Sequence, residues 1–206
     1  MDLRLISTPL TADQKIAVCP LDEVKAQARV THADEDALIR GYIVAAYDFL
    51  SGPDGWLGHC CLLQETWETH LPSSLSWRHE LPMRPFAGTA LASFDRLLAD
   101  GVTYEPVNTG HFHVAFNSGI ASLVRATSAP YGYLGAPRHN AYRVRFVAGF
   151  TPVDEPLGVP EPIRLGMKML AAHWYRQRET VGEPTPEVLY GLRNLCGRYR
   201  VSHDHS

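Results

Sequence analysis

The sequence predicts an α+β fold: a helical bundle core formed by N- and C-terminal helices, with an inserted antiparallel β domain. Two patterns carry that reading. Apolar residues recur every three or four positions near both ends, whereas Gly, Pro, Asn and Ser cut the middle into short β-rich stretches. Composition is the third observation. With 206 residues, 45% of them hydrophobic and 20% charged, the chain can bury its own core and falls outside disordered, collagen-like or coiled-coil usage. The corresponding partition is 1–61 for the N-terminal helices of the core, 62–150 for the β-rich insertion, and 151–206 for the C-terminal helices and tail that complete the core.

The first helix opens at Cys19-Pro20-Leu21-Asp22-Glu23, where Pro20 suits the first helical position and two carboxylates face the positive end of the helix dipole; it runs to about Arg29. A second begins near Asp34. Leu38, Ile39, Tyr42, Ile43, Ala46, Phe49 and Leu50 line its inner side, and Glu35, Arg40 and Asp48 its outer one. Ser51-Gly52-Pro53-Asp54-Gly55 ends it. Strands are expected at Gln64–Leu71, Leu75–Leu81, Ala90–Leu97, Val102–Pro106, His111–Phe116, Ile120–Arg125 and Tyr142–Ala148, with Asp100-Gly101 as a hairpin turn. In the last strand Tyr, Val and Phe alternate with Arg143 and Arg145, giving one apolar and one basic face. The stretch from Pro130 to Asn140 holds too much Pro and Gly for regular structure and reads as a long contact-making loop. Ile163, Met167, Leu170, Ala171 and Trp174 signal a third helix ending near Glu179, and a shorter one follows from Pro186 to about Cys196.

Charge and motifs narrow the function. The formal charge is −3, from 19 basic and 22 acidic side chains, too little positive charge for a dedicated nucleic-acid binder. Residues 1–60 hold five basic and nine acidic groups, but residues 164–206 hold seven basic and four acidic, so the C-terminal end is basic. Four cysteines without a C-x-x-C pair read as reduced thiols, and no eighteen-residue apolar run or signal-type block points to a membrane. Phosphate-loop, dinucleotide, nucleophile-elbow and H-E-x-x-H patterns are missing, so no enzymatic activity and no cofactor are expected.

His111 and His113 would share one face of a strand and could both reach a cation, the basis of an alternative reading as a small metal-dependent enzyme. Two ligands do not make a site, and the spacing selects no third. His59-Cys60-Cys61 places a thiol beside an imidazole, yet neighbours on a strand point to opposite faces, so buried cysteine is the plainer reading. His173, between Ala172 and Trp174, reads as a packed helix residue. Arg176, Arg178, Arg193, Arg198 and Arg200, with Tyr175 and Tyr199 among them, make the mixture favoured in protein interfaces.

Taken in order, several blocks resemble the head–tail connector (adaptor) family of long-tailed double-stranded DNA bacteriophages and phage-derived particles. They are Pro20-Leu21-Asp22-Glu23-Val24-Lys25-Ala26, Asp34-Glu35-Asp36-Ala37-Leu38-Ile39, Gln64-Glu65-Thr66-Trp67-Glu68 and Leu81-Pro82-Met83-Arg84-Pro85. The closing blocks are Val144-Arg145-Phe146-Val147-Ala148-Gly149-Phe150, Ala171-Ala172-His173-Trp174-Tyr175-Arg176 and Arg198-Tyr199-Arg200-Val201. Between Ser51 and Leu63 the family's Thr-Gly-Arg pattern gives way to Gly52-Pro53-Asp54-Gly55-Trp56. The resemblance implies family-like core positions at Leu38, Ile39, Trp67, Phe146, Trp174 and Tyr175. It also implies a structural subunit of the virion neck, assembled in the host bacterial cytoplasm. Such subunits form a ring with copies of themselves, usually a dodecamer, between the portal protein and the head-completion or stopper protein. Double-stranded DNA passes through the lumen without sequence-specific binding. By analogy, Leu195, Arg198, Tyr199, Arg200 and Val201 would meet the portal. The nearer alternative is another neck ring such as the stopper, expected to have less helix.

Overall fold

The computed structural model describes residues 2–73, 78–88, 90–107, 109–117, 120–126, 139–177 and 184–200. The contact loop expected between Pro130 and Asn140 lies almost wholly outside the described residues, as do Val201 and the start of the Leu75–Leu81 strand. In chain order the elements are β1 (Leu3–Leu5), α1 (Ala12–Val18), α2 (Leu21–Ala28), α3 (Asp36–Leu50), β2 (Glu65–Leu71), β3 (Arg78–Glu80), β4 (Ser93–Leu97) and β5 (Tyr104–Pro106). They continue with β6 (Phe112–Asn117), β7 (Ile120–Arg125), β8 (Tyr142–Ala148), α4 (Glu161–Arg176) and α5 (Pro186–Cys196). The fold is α+β. The chain divides into two compact units, one of residues 1–9 and 64–149, the other of residues 10–63 and 150–206.

The first nine residues therefore depart from the expected helical segment 1–61. Leu3 and Leu5 alternate with Arg4, and β1 pairs antiparallel with β2, Leu5 opposite Trp67. Three residues are too few for a periodicity reading. A second element absent from that reading, α1, carries a capping box: Gln14 N–H donates to Thr11 Oγ1 at 3.3 Å, and Thr11 N–H donates to Gln14 Oε1 at 2.7 Å. Pro20 sits one position earlier than expected, as the N-cap of α2.

In the helical unit α3 and α4 pack on each other, with α2 against both, α1 against α3 and α5 against α4. Ile39, Ile43, Leu50, Ile163, Met167 and Leu170 are fully buried there. Trp174 meets Phe49 edge-on at 6.0 Å. Leu38 is a correction to the expected core: it is 39% exposed, because the buried stripe of α3 runs through Ile39, Tyr42, Ile43, Ala46, Tyr47 and Leu50. After α3 the glycines act as expected. Gly52 has φ +104°, and a Cβ on Gly55 would stand 2.6 Å from the Leu50 carbonyl oxygen.

The other unit contains, among the described residues, two antiparallel sheets, ordered β1-β2-β8-β4-β5 and β3-β7-β6. Its first long strand pairs with its last along seven residues, Glu65 opposite Ala148 through Leu71 opposite Tyr142, so the insertion opens and closes side by side. Asp100-Gly101 forms the β4–β5 turn. Asp100 Oδ1 accepts from Val102 and Thr103 N–H at 3.0 Å each, and Gly101 takes φ +76°. Aromatic rings join the two sheets: Phe94 meets Phe112 edge-on at 4.9 Å, and Phe86 lies 6.3 Å from Phe146 and 5.5 Å from Phe116.

Candidate interface surfaces

Alternation along β8 turns Tyr142, Val144, Phe146 and Ala148 into the aromatic core of the sheet unit and Arg143 and Arg145 to the other face. That face is not basic, contrary to the sequence expectation. Glu68 on β2 stands opposite Arg145 and accepts from its Nε at 2.7 Å. Asp95 on β4 stands opposite Arg143, and its Oδ2 accepts from Arg143 Nη2 at 2.9 Å and Nε at 3.1 Å. Arg143 also lies over the Tyr104 ring at 4.3 Å, which itself flanks His70. Both carboxylates are buried beneath the arginine stems. The acids were visible in the sequence, but only strand register brings each to its arginine.

The C-terminal segment is held on the helical unit by aromatic contacts. Leu195 packs on the core, and Tyr199 meets Phe150 edge-on at 5.7 Å. Arg198 lies over the Tyr199 ring at 4.7 Å, and Arg200 over Trp56 at 4.8 Å, both with exposed side chains. Trp56 belongs to the Gly52–Trp56 stretch that follows α3, and its ring is the seat of Arg200. Of the family-like positions, Ile39, Trp67, Phe146 and Trp174 are buried. Tyr175 is half-buried and donates its hydroxyl to Glu35 Oε2, tying α4 to the N-cap of α3.

Arg164 and Lys168 reach from α4 to α2. Arg164 Nη2 donates to Glu23 Oε1 at 2.9 Å, Arg164 Nε donates to the Val18 carbonyl at 2.9 Å, and Lys168 Nζ stands 2.7 Å from Glu23 Oε2. The hydrogen bond from Lys168, reinforced by the charge of Arg164, holds the Glu23 carboxyl below the usual carboxylate range, and Glu23 in turn raises Lys168.

His111 lies in a single 3₁₀ turn, Thr109–His111, ahead of β6, rather than alternating with His113 along the strand. Among the described residues no three His, Cys, Asp or Glu side chains gather as metal ligands. The four cysteines form no disulfide and are buried, and burial pushes the Cys19 thiol up to about 12 and Cys196 up to about 11, away from thiolate reactivity. A hollow of about 550 Å³ lined by Leu21, Asp22, Lys25, Ala26, Val30 and Asp36 brings together no nucleophile and base; its Lys25 is held by Asp36 at 2.6 Å. No helix among the described residues is long and apolar enough to cross a membrane.

No protein-family model matches the chain, and no curated protein matches it. Solved structures do match. A chain from the neck of an empty GTA particle, computed with C6 symmetry, superposes with a TM-score of 0.70 at 19% identity, covering 98% of this chain and 97% of that one. The fold is that of these particle chains. A chain from the virion of a native gene transfer agent (GTA) particle gives a TM-score of 0.68, and one from the neck of a native GTA particle computed with C12 symmetry gives 0.64, at the same identity and coverage.

Proposed function

We propose that this protein is a structural subunit of the neck of a phage or phage-derived particle: an adaptor that forms a ring with its own copies between the portal and the stopper. The supporting observation is end-to-end similarity of fold to neck chains of gene transfer agent particles, with neither chain of a pair leaving a domain unmatched. The five α-helices of the described residues, gathered in a unit of their own, favour the adaptor over a stopper, for which a more completely β core is expected. A ring requires each copy to carry two different complementary surfaces. DNA threading its lumen must slide, so a lining that binds few phosphates suits the role, and the helical unit carries eleven basic against fifteen acidic side chains.

In this reading Leu195 and Tyr199 anchor the C-terminal segment while Arg198, Arg200 and Val201 meet the portal, and loops of the sheet unit face the tail-side ring. Deleting residues 198–206 is expected to leave a folded subunit, judged by circular dichroism, that no longer joins DNA-filled heads. Normal incorporation of that deletion into particles would refute the docking surface. Imaging of assembled necks that found this chain anywhere but in a symmetric collar below the portal would refute the role itself.

A further inference from the structure

From two patches of the helical unit we infer that the outer face of α5, centred on Tyr190 and Arg193, docks onto the acidic Asp154–Gly158 turn of a second copy of this chain, head to tail. The inference rests on the ring reading above and names the surfaces that would build the ring.

The packing leaves this face of α5 open among the described residues. Leu192 and Cys196 are fully buried against α4, where a Cβ on Gly166 would stand 3.0 Å from Leu192 Cδ2 and 3.1 Å from Cys196 Sγ. The opposite side therefore turns outward: Tyr190 is 68% exposed, and Arg193 lies one helical turn further on, also exposed. Exposed Tyr beside Arg is the composition that dominates interface energetics, because both offer large contact area with a polar end. Glu187, one turn before Tyr190, is the acidic residue on this face.

The complementary surface is a different patch of the same unit. The 3₁₀ turn Pro156–Gly158 packs with α1, and α1 packs with α3, whereas α5 packs with α4. That turn carries Leu157, 58% exposed, beside the exposed carboxylates Asp154 and Glu155. On α1 itself the charges are already matched, Asp13 by Arg40 and Lys15 by Asp48, which leaves the turn as the unbalanced negative patch there among the described residues. An apolar knob rimmed by acid on one patch and an aromatic residue beside arginine on the other make a heterologous pair. A closed ring is built from such a heterologous pair, each copy offering a different face to each of its two neighbours.

Cross-linking of the full chain tests this. Leu157→Cys combined with Tyr190→Cys is expected to give a ladder of covalent trimers and larger oligomers under mild oxidation, whereas each single variant stops at dimers. Adding Arg193→Glu should reduce the ladder about tenfold, and Asp154→Arg with Glu155→Arg in that background should restore it. Absence of species beyond dimer in the double-cysteine chain, or a ladder indifferent to Arg193→Glu, overturns the inference. Native mass spectrometry of the unmodified chain reads the ring separately. Rings without a ladder would discard these surfaces and keep the adaptor reading; a ladder sensitive to Arg193→Glu supports the surfaces whatever the ring size.

Discussion

Glu68 and Arg145 face one another across β2 and β8, and Glu68 is buried with Arg143 also 4.0 Å from its Oε2. A buried carboxylate between two guanidiniums is stable only while its partners remain, because desolvation of an unpaired ion outweighs what packing returns. Glu68→Gln keeps the shape but removes the charge, and should lower stability by about 2 kcal/mol, read as a lower urea midpoint with unchanged far-ultraviolet circular dichroism. An unchanged midpoint would mean that the pair offsets only its own desolvation. At this scale the sequence was legible where one periodicity ruled. Ile39, Phe146 and Trp174, which stand on apolar stripes, are buried, whereas Leu38, one step around the helix from Ile39, falls on the margin of the stripe.

Helix α4 joins its neighbours in two ways that mutation can separate. Toward α5 it offers Gly166. Alanine there would press on buried Leu192 and Cys196; overpacking of this kind costs about 1–3 kcal/mol, more than the helix-propensity gain of about 1 kcal/mol. Gly41, exposed on α3 with nothing within 4 Å of the place a Cβ would take, is the counterpart: Gly41→Ala should stabilise by about 0.5–1 kcal/mol. Thermal melts of the two variants should move in opposite directions, and a shared direction would contradict the packing described for Gly166.

Toward α2, α4 offers Arg164 and Lys168 to Glu23. Because the folded-state pKa of Glu23 is lowered, its contribution is present above the ordinary carboxylate value of about 4.3 and disappears as pH falls through the lower folded value. Glu23→Gln should therefore be less stable than the parent at pH 7, with the difference closing as pH falls through the acidic range below the ordinary carboxylate value. Urea midpoints across that range check it; a difference independent of pH would assign the effect to packing. The helices themselves were readable because capping, Pro placement and apolar spacing all act within one turn, as the bounds of α5 show. The short α1 was signalled only by its Thr11–Gln14 box, too slight a mark for a helix of seven residues.

Across the whole molecule, the division into units follows the pairing of β2 with β8 and the capture of β1 by β2. Removing residues 2–9 should leave α3 and α4 protected while amide exchange quickens along β2, beginning at His70, whose N–H donates to the Asp2 carbonyl at 3.4 Å. Equal loss of protection in α3 and α4 would show that β1 stabilises more than its sheet. By itself the sequence determined the fold class, the helices at both ends, the strand positions in between and the basic character of the last segment, because these depend on periodicity, turn chemistry and charge within a few residues. Tertiary structure alone decided the rest. Strand register set Glu68 and Asp95 under Arg145 and Arg143 and neutralised a face that looked basic, and helix packing left Tyr190 and Leu157 exposed while burying Leu192 and Cys196. Those outcomes depend on partners dozens of residues away, which no local pattern can specify.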